Sequence, residues 1–145
     1  MRNMMANELF KCLKDYFPNN PELMKTLKPG AIWEYIIRAP NLDDDLSQTI
    51  LTFHLTKKPD ETLEMIEGDA PVKPDLILYF TEQAILNLIA GSPSADKYYE
   101  IYRKIMRNPT EEIDIDYKVN KSRLKLWHLG YRNWSKIFKF TQIEG

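Results

Sequence analysis

The segment from Lys73 to Ala95 constrains the fold of this chain most, because a strand pattern in it runs directly into a helix pattern. In the strand pattern the strongly apolar residues take every second position: Leu76, Leu78 and Phe80. Thr81 follows at once and is a favourable helix N-cap, and apolar residues then recur at helical spacing up to Gly91. The segment therefore predicts a strand, a helix and a helix end, with no loop between the first two.

The region before this segment predicts two helices and three strands. Apolar residues at helical spacing predict an N-terminal helix over 7–17, and a short second helix is predicted over 22–27. Three later runs alternate as strands do, with the inward residues Trp33, Tyr35 and Ile37, then Thr49, Leu51, Phe53 and Leu55, then Leu63 and Met65. This alternation puts His54 on the outer face of the second strand, where we expect it to be solvated. The run from Asp43 to Asp45 is expected to be a solvated turn.

The region after Gly91 predicts a helix over 94–107, a strand and a last helix over 121–140. In the strand, apolar residues alternate with charged ones; they are Ile113, Ile115, Tyr117 and Val119. Each predicted strand has one richer apolar face, which is typical of an antiparallel sheet covered on one side. The sequence thus predicts a single α+β domain over residues 1–145. Its sheet is five-stranded, with helices on one face.

The predicted C-terminal helix carries an aromatic stripe and most of the positive charge. The stripe residues follow steps of three and four: Leu124, Trp127, Tyr131, Trp134 and Phe138. Residues 121–140 hold six Lys and Arg residues and no acid, so this segment carries +6 and the rest of the chain −7, given a net charge of −1. Gly130 interrupts the helix pattern, which indicates close packing against another element or a bend.

Three roles are open for this basic aromatic helix. It packs its stripe onto the domain and turns its lysines to water, or it is a lid that also docks on anionic membranes, or it binds single-stranded nucleic acid. The net charge of −1 argues against nucleic acid, because such proteins usually carry a strongly basic footprint.

Motifs for catalysis or metal binding are absent from the sequence. No Ser, Cys, His or Gly-rich loop lies at the strand–helix junction around Thr81, where α/β enzymes often place them. His54 and His128 are the two histidines, and neither has another ligand at metal-binding spacing. A buried pair of carboxylates, Asp75 with Glu82, stays open as an acid–base site. We expect no catalytic residue, no metal and no cofactor.

The cysteine content and the N-terminal sequence bear on location. Cys12 is the single cysteine, which excludes an internal disulfide and is typical of a reducing compartment. Residues 1–17 mix charged with apolar residues before a signal-peptide core forms. We therefore expect Cys12 to pack in the core and the protein to be cytoplasmic.

The segment described first resembles the sterol carrier protein type 2 family. The matching residues are Asp75, Leu76, Leu78, Phe80, Thr81, Glu82, Leu86, Leu88 and Gly91. The order of the other predicted elements is similar as well. The resemblance implies that the five-stranded sheet is mixed and mostly antiparallel. It also implies that the sheet and its helices enclose an apolar tunnel for a fatty acyl chain, sterol or similar lipid, with no catalytic group. It therefore implies a non-enzymatic lipid-binding or lipid-transfer protein.

The resemblance also implies a set of ligand-binding residues. Those at interior positions of the motif are Leu76, Leu78, Phe80, Ile85, Leu88 and Ile89, and the predicted set adds Tyr102, Trp127 and Trp134. The sequence departs from the family in a last strand without glycines and in the bulky Tyr98, Tyr99 and Tyr102. Such side chains would fill a tunnel. The alternative hypothesis is therefore a protein-interaction or dimerisation module of the same fold with a filled cavity.

Overall fold

Residues 6–39 and 49–140 are described by the structure, a computed structural model, and they form five strands and five helices. The strands are β1 (Ile32–Arg38), β2 (Thr49–Lys57), β3 (Leu63–Glu67), β4 (Leu76–Thr81) and β5 (Ile115–Val119). The helices are α1 (Ala6–Tyr16), α2 (Glu82–Ile89), α3 (Ala95–Arg107), α4 (Arg123–Leu129) and α5 (Tyr131–Phe138), and a 3₁₀ turn spans Pro21–Met24. The turn predicted at Asp43 to Asp45 lies outside the described residues.

The strands form one mixed sheet in the order β3-β2-β1-β4-β5. β1 pairs with β4 in parallel, and the other three pairs are antiparallel. Tyr35 of β1 lies opposite Phe53 of β2 on one side and Leu78 of β4 on the other. The predicted α+β class is confirmed, as is the mixed, mostly antiparallel five-stranded sheet.

The inner face of the sheet is apolar and carries the helices. Its residues from the three central strands are at most 5% exposed: Trp33, Tyr35, Ile37, Leu51, Phe53, Leu55, Leu76, Leu78 and Phe80. The helix side reaches this face through aromatic pairs, among them Phe17–Tyr35, Tyr102–Phe80 and Trp134–Trp33. Cys12 of α1 is half-buried and packs against the same core. The inward positions predicted for the three central strands are therefore confirmed except for Thr49, which is exposed at the start of β2 where the pairing with β1 is irregular. In the edge strand β5, Val119 is also predicted to face inward but is 38% exposed.

The outer face of the sheet is partly covered, which corrects the expectation for His54. This residue is 5% exposed rather than solvated. Its Nδ1 lies 3.0 Å from the Gly68 carbonyl oxygen. Glu34, the β1 residue that pairs with His54, accepts a hydrogen bond from the Ala70 backbone N–H at 2.9 Å. The connection after β3 thus folds back over this part of the outer face. The alternation of residues along β2 cannot predict that a later segment covers the outer face.

The strand–helix junction predicted at Thr81 is confirmed. β4 ends at Thr81, α2 begins at the next residue, and Thr81 Oγ1 accepts a hydrogen bond from the Ala84 backbone N–H at 3.3 Å. Beyond α2, Gly91 has a φ of +76°, a conformation in which glycine is favoured after a helix. The Thr81 hydroxyl also donates to the Glu112 carbonyl at 2.7 Å, so the junction is tied to the segment before β5.

Two other predicted elements are shorter than expected. The helix predicted over 22–27 is the 3₁₀ turn Pro21–Met24, because Thr26 has a φ of +72° and cannot continue a helix. Ile113 lies outside β5, since its backbone N–H donates to the Thr110 side chain in a local turn. The predicted N-terminal helix over 7–17 is found as α1, within one residue at each end.

The helix predicted over 121–140 is two helices in the structure. α4 and α5 are separate because Gly130 between them has a φ of +98°. Gly130 also packs so closely against the Thr26 carbonyl that a Cβ would overlap its oxygen. The two expectations for this glycine, a close approach and a bend, are thus both confirmed.

The bend divides the predicted aromatic stripe. The stripe residues of α5, Tyr131, Trp134 and Phe138, are at most 3% exposed. Leu124 and Trp127 of α4 are 60% and 55% exposed. The prediction of one continuous stripe along a single helix is therefore wrong, because residues three and four apart share a face only while the helix is unbroken.

Candidate functional site

A small cavity lies between the inner face of the sheet and the helices α3 and α5. The strands contribute Trp33, Tyr35, Leu76, Leu78 and Tyr117 to its wall. The opposite wall consists of Tyr98, Tyr99 and Tyr102 of α3, Trp134 of α5 and Phe140. The lining is therefore mainly aromatic, and phenol and indole groups supply its side-chain polar atoms.

The cavity is small in this conformation. Its volume is about 20 Å³ for the centre of a water-sized sphere, which is room for about one water molecule. Pockets that enclose whole small-molecule ligands commonly measure about 300–1,000 Å³. This cavity is therefore not an open tunnel, and a long ligand would require its wall to move.

The helix side of the wall is held by aromatic contacts and by hydrogen bonds. Trp134 stacks on Phe140 with ring centroids 5.3 Å apart, and Tyr99 meets both rings nearly at right angles. Tyr99 Oη and Trp134 Nε1 each donate to the Leu23 carbonyl at 2.9 Å. These two bonds fix α3 and α5 to the chain segment that follows α1.

Tyr35 brings an unpaired polar group to the wall. The side chain is fully buried and stacks on Phe53 at 4.5 Å and on Phe80 at 5.8 Å. Its hydroxyl has no hydrogen-bond partner among the described residues. Burial, with a further contribution from neighbouring tyrosines, raises the pKa of Tyr35 well above its ordinary value, so the hydroxyl stays neutral. An unpaired buried hydroxyl costs about 1–3 kcal/mol, which a ligand or water in the cavity would offset.

The structure brings four of the predicted site residues to this cavity. Leu76, Leu78, Tyr102 and Trp134 form part of its wall. The other interior residues of the motif are buried in the core but do not line the cavity: Phe80, Ile85, Leu88 and Ile89. Trp127 lies outside, 55% exposed on α4, because the bend at Gly130 separates it from the packed stripe of α5.

Sequence reasoning missed the other wall residues as ligand contacts. Alternation does place Trp33 and Tyr35 on the inner face, so a signal for both existed. Tyr98 and Tyr99 are predicted to fill a cavity, which agrees with their position in the wall. Phe140 follows the last helix and belongs to no pattern, so nothing in the sequence indicates its role.

A buried hydrogen-bond network lies around Asp75, just before β4. Asp75 is fully buried, and its Oδ1 pairs with Lys121 Nζ at 2.7 Å. Its Oδ2 accepts from the Ile32 backbone N–H at 3.1 Å and from the Tyr131 hydroxyl at 2.7 Å. The Tyr131 oxygen in turn accepts from Trp33 Nε1 at 2.7 Å. Burial and the Asp75 charge raise the pKa of Tyr131 well above its ordinary value, so this network holds the fold together through a neutral phenol.

The carboxylate pair left open by the sequence does not form. Asp75 and Glu82 flank β4 at opposite ends, and six strand residues at about 3.3 Å each separate them by roughly 20 Å. Oδ1 of Asp75 is already ion-paired with Lys121, and Oδ2 already accepts two hydrogen bonds. An acid–base site built from these two carboxylates is therefore excluded by the geometry.

The part of the chain that the structure describes holds no group of three His, Cys, Asp or Glu side chains that could bind a metal ion. Within residues 6–39 and 49–140, no helix combines the length and the apolar character needed to cross a bilayer. No family model matches this chain, and no curated protein matches it. The aromatic cavity and the Asp75 network are the features from which a function can be argued.

Proposed function

We propose that this chain is a non-enzymatic lipid-binding or lipid-transfer protein. The ligand, a fatty acyl chain or a similar apolar molecule, lies between the inner face of the sheet and the helices α3 and α5. The observation that carries the proposal is the apolar cavity at this place, together with Tyr35, a residue of its wall whose buried hydroxyl is unpaired. The resemblance of residues 73–95 to the sterol carrier protein type 2 family supports it, because β4 of that segment contributes Leu76 and Leu78 to the wall.

The ligand would enlarge the cavity by displacing aromatic rings of the helix side, and displacement of Tyr99 and Trp134 would also break their hydrogen bonds to the Leu23 carbonyl. The rings to be displaced belong to Tyr99, Trp134 and Phe140, which form three mutual contacts. Each such aromatic pair contributes about 0.5–1.5 kcal/mol beyond its buried area. An acyl chain that buries about ten methylenes contributes on the order of 8 kcal/mol. The two hydrogen bonds to Leu23 contribute about 0.5–1.5 kcal/mol each, so burial of the ligand still outweighs the combined loss of the ring contacts and these bonds.

The Tyr35 hydroxyl favours a ligand with a hydrogen-bonding group. As a neutral phenol it both donates and accepts. A carbonyl, a hydroxyl or a protonated carboxyl group can pair with it without burial of a charge, whereas an ionised carboxylate would have to give up its hydration. We therefore expect an acyl ester, an alcohol or a protonated fatty acid rather than a bare hydrocarbon.

A second candidate function follows from the small volume of the cavity. A volume of about 20 Å³ within packed rings is also what a filled core shows, as in a protein-interaction or dimerisation module. In that case a single water molecule would satisfy the Tyr35 hydroxyl. The two candidates differ in whether the protein takes up a lipid.

Mass spectrometry of an organic extract of the purified protein separates these candidates. The first predicts a lipid at a stoichiometric amount, and a fluorescent fatty-acid analogue that binds saturably and is displaced by unlabelled fatty acid. A protein without extracted lipid and without saturable uptake of the analogue would contradict lipid binding and favour the interaction module.

Two matched substitutions on β4 test the position of the ligand. Leu78→Trp replaces a wall side chain by a larger indole ring, which would fill the cavity and should abolish uptake of the analogue. Ile77→Trp adds the same ring on the opposite face of the strand and should leave uptake unchanged. Circular dichroism checks that both variants fold. Unchanged uptake by a folded Leu78→Trp variant would contradict this location.

A further inference from the structure

A basic and apolar surface lies on the outside of α4 and the neighbouring connection before β4. Three of its apolar side chains, Val72, Leu124 and Trp127, are 61%, 60% and 55% exposed. Lysines from both segments line an open groove next to Val72. We call the whole set the α4 surface: Val72, Lys73, Lys121, Leu124, Lys125 and Trp127.

α4 is anchored at both ends, so this exposed side is a fixed part of the fold. Before its start, Lys121 Nζ pairs with the buried Asp75 at 2.7 Å. At its end, the Leu129 carbonyl accepts a hydrogen bond from the Lys28 backbone N–H at 2.9 Å. Leu126 packs inward and is 3% exposed. Leu124 and Trp127 are thus exposed on a helix that is fixed at both ends and packs inward through Leu126.

The C-terminal segment that contains α4 carries charged residues of one sign only. Residues 121–140 carry +6 and the rest of the chain −7. The Arg132 guanidinium lies 5.7 Å from the centre of the Trp127 ring, which places a further positive charge beside the exposed indole. Exposed Leu and Trp side chains surrounded by cations are typical of surfaces that bind at the interface of anionic bilayers.

We propose that the α4 surface docks the protein on anionic lipid bilayers. Val72, Leu124 and Trp127 lie at the boundary between headgroups and acyl chains, and the basic side chains contact the anionic headgroups. Because Lys121 already pairs with Asp75, Lys73 and Lys125 make the main charged contacts. This docking does not depend on what the cavity holds.

A second copy of the chain or a nucleic acid fits the α4 surface less well. Two copies related by a twofold axis would bring the same basic residues together, and like charges repel. A single strand of nucleic acid would stack bases on Trp127 but would leave Val72 and Leu124 in water. A bilayer uses the apolar and the basic residues at once.

Vesicle binding tests the proposal directly. Phosphatidylcholine vesicles are compared with vesicles that contain equal parts of phosphatidylcholine and phosphatidylserine, by co-sedimentation and by tryptophan fluorescence. Trp33 and Trp134 are buried, so Trp127 reports the contact. We expect binding to the anionic vesicles, a blue shift, quenching by brominated acyl chains, and release as salt rises. Equal binding to both kinds of vesicle, or binding without a change in fluorescence, would overturn the proposal.

A matched pair of apolar substitutions tests the contact surface. Leu124→Glu should abolish binding to the anionic vesicles. Ile66→Glu introduces the same side chain at a residue of β3 that is 45% exposed, and it should leave binding unchanged. Both positions are exposed, so both variants should fold, which circular dichroism checks. Equal binding by the two variants would overturn the proposal.

A matched pair of charge reversals separates this surface from overall charge. Lys73→Glu with Lys125→Glu should weaken binding at least roughly thirtyfold, from the usual contribution of a lysine near an anionic surface. Lys11→Glu with Lys104→Glu changes the net charge equally on α1 and α3 and should have a much smaller effect. Equal losses in both pairs would overturn the proposal. A dimer in analytical ultracentrifugation that Leu124→Glu dissociates would also overturn it, and would identify the surface as an interface between copies.

Discussion

α4 and α5 follow each other in the chain and have similar compositions, yet the fold uses them in opposite ways. Each contains basic residues and one tryptophan. Trp134 of α5 is 3% exposed within the aromatic wall, whereas Trp127 of α4 is 55% exposed beside Arg132. Composition therefore does not decide which tryptophan is buried. The deciding feature is the left-handed conformation of Gly130, which starts a new helix with a different face toward the sheet.

Alkaline pH should have the largest effect on stability, because it acts on the buried tyrosines around the cavity and α5 and not on α4. α4 carries no tyrosine, whereas the cavity side holds the buried Tyr35, Tyr98, Tyr99 and Tyr131. Burial raises the pKa of each of these four well above the usual 10. Above pH 10 the unfolded chain releases these protons while the folded chain keeps them. The contribution of these tyrosines to the free energy of unfolding is therefore fully present below pH 10 and is lost as the pH rises further.

One pH unit above 10, each such tyrosine lowers the free energy of unfolding by roughly 1.4 kcal/mol, or about 5–6 kcal/mol for four. That loss equals the whole stability of many domains. Urea unfolding at increasing pH measures it, with tyrosinate absorbance as a second readout. Full ionisation of the tyrosines near pH 10, in a chain that keeps its native circular dichroism, would contradict the burial of this side.

Substitution of the two tryptophans compares the packing of α4 and α5 directly. Trp134→Ala removes a buried indole and its hydrogen bond to the Leu23 carbonyl, and should lower the free energy of unfolding by about 3–5 kcal/mol. Trp127→Ala should change it by no more than about 0.5 kcal/mol. Denaturant unfolding measures both values. Similar losses in the two variants would show that α4 also packs its stripe.

Substitution of two glycines should lower the free energy of unfolding by a smaller amount and tests the contact at the bend between α4 and α5. Gly91→Ala should cost about 1 kcal/mol, because its φ of +76° disfavours alanine but no atom lies within 4 Å of the new Cβ. Gly130→Ala has the same conformational cost and also forces a Cβ against the Thr26 carbonyl, so we expect about 3 kcal/mol in total. Thermal or denaturant unfolding compares the variants. Equal losses would mean that the contact with Thr26 is easily relieved.

The parts of the fold that the sequence predicts are those with a local signal. Thr81 caps α2 through an atom three residues away, and Gly91 marks the end of that helix by its own conformation. Alternation predicts the inner faces of β1, β2 and β4, because side chains on a strand point to opposite faces in turn. These signals need no knowledge of distant residues.

The parts that the sequence does not predict depend on partners far along the chain. His54 is on the outer face as expected, but its burial comes from the connection at Gly68. Gly130 signals a change in the helix, but the direction of that change depends on its contact with Thr26. The cavity volume depends on how the Tyr99 and Trp134 rings pack on each other. Candidate ligand residues could therefore be chosen by face, but not by their distance from the cavity.

The position of Asp75 has a consequence for how the chain opens and unfolds. Its carboxylate binds Ile32 at the start of β1, Lys121 before α4 and Tyr131 at the start of α5. Its backbone is bonded to Ile32 and Asn120. Release of the C-terminal segment alone would leave this charge buried without most of its partners, at a cost of about 3–5 kcal/mol. The C-terminal helices and the centre of the sheet therefore form one cooperative folding unit, and local fraying at that end is suppressed.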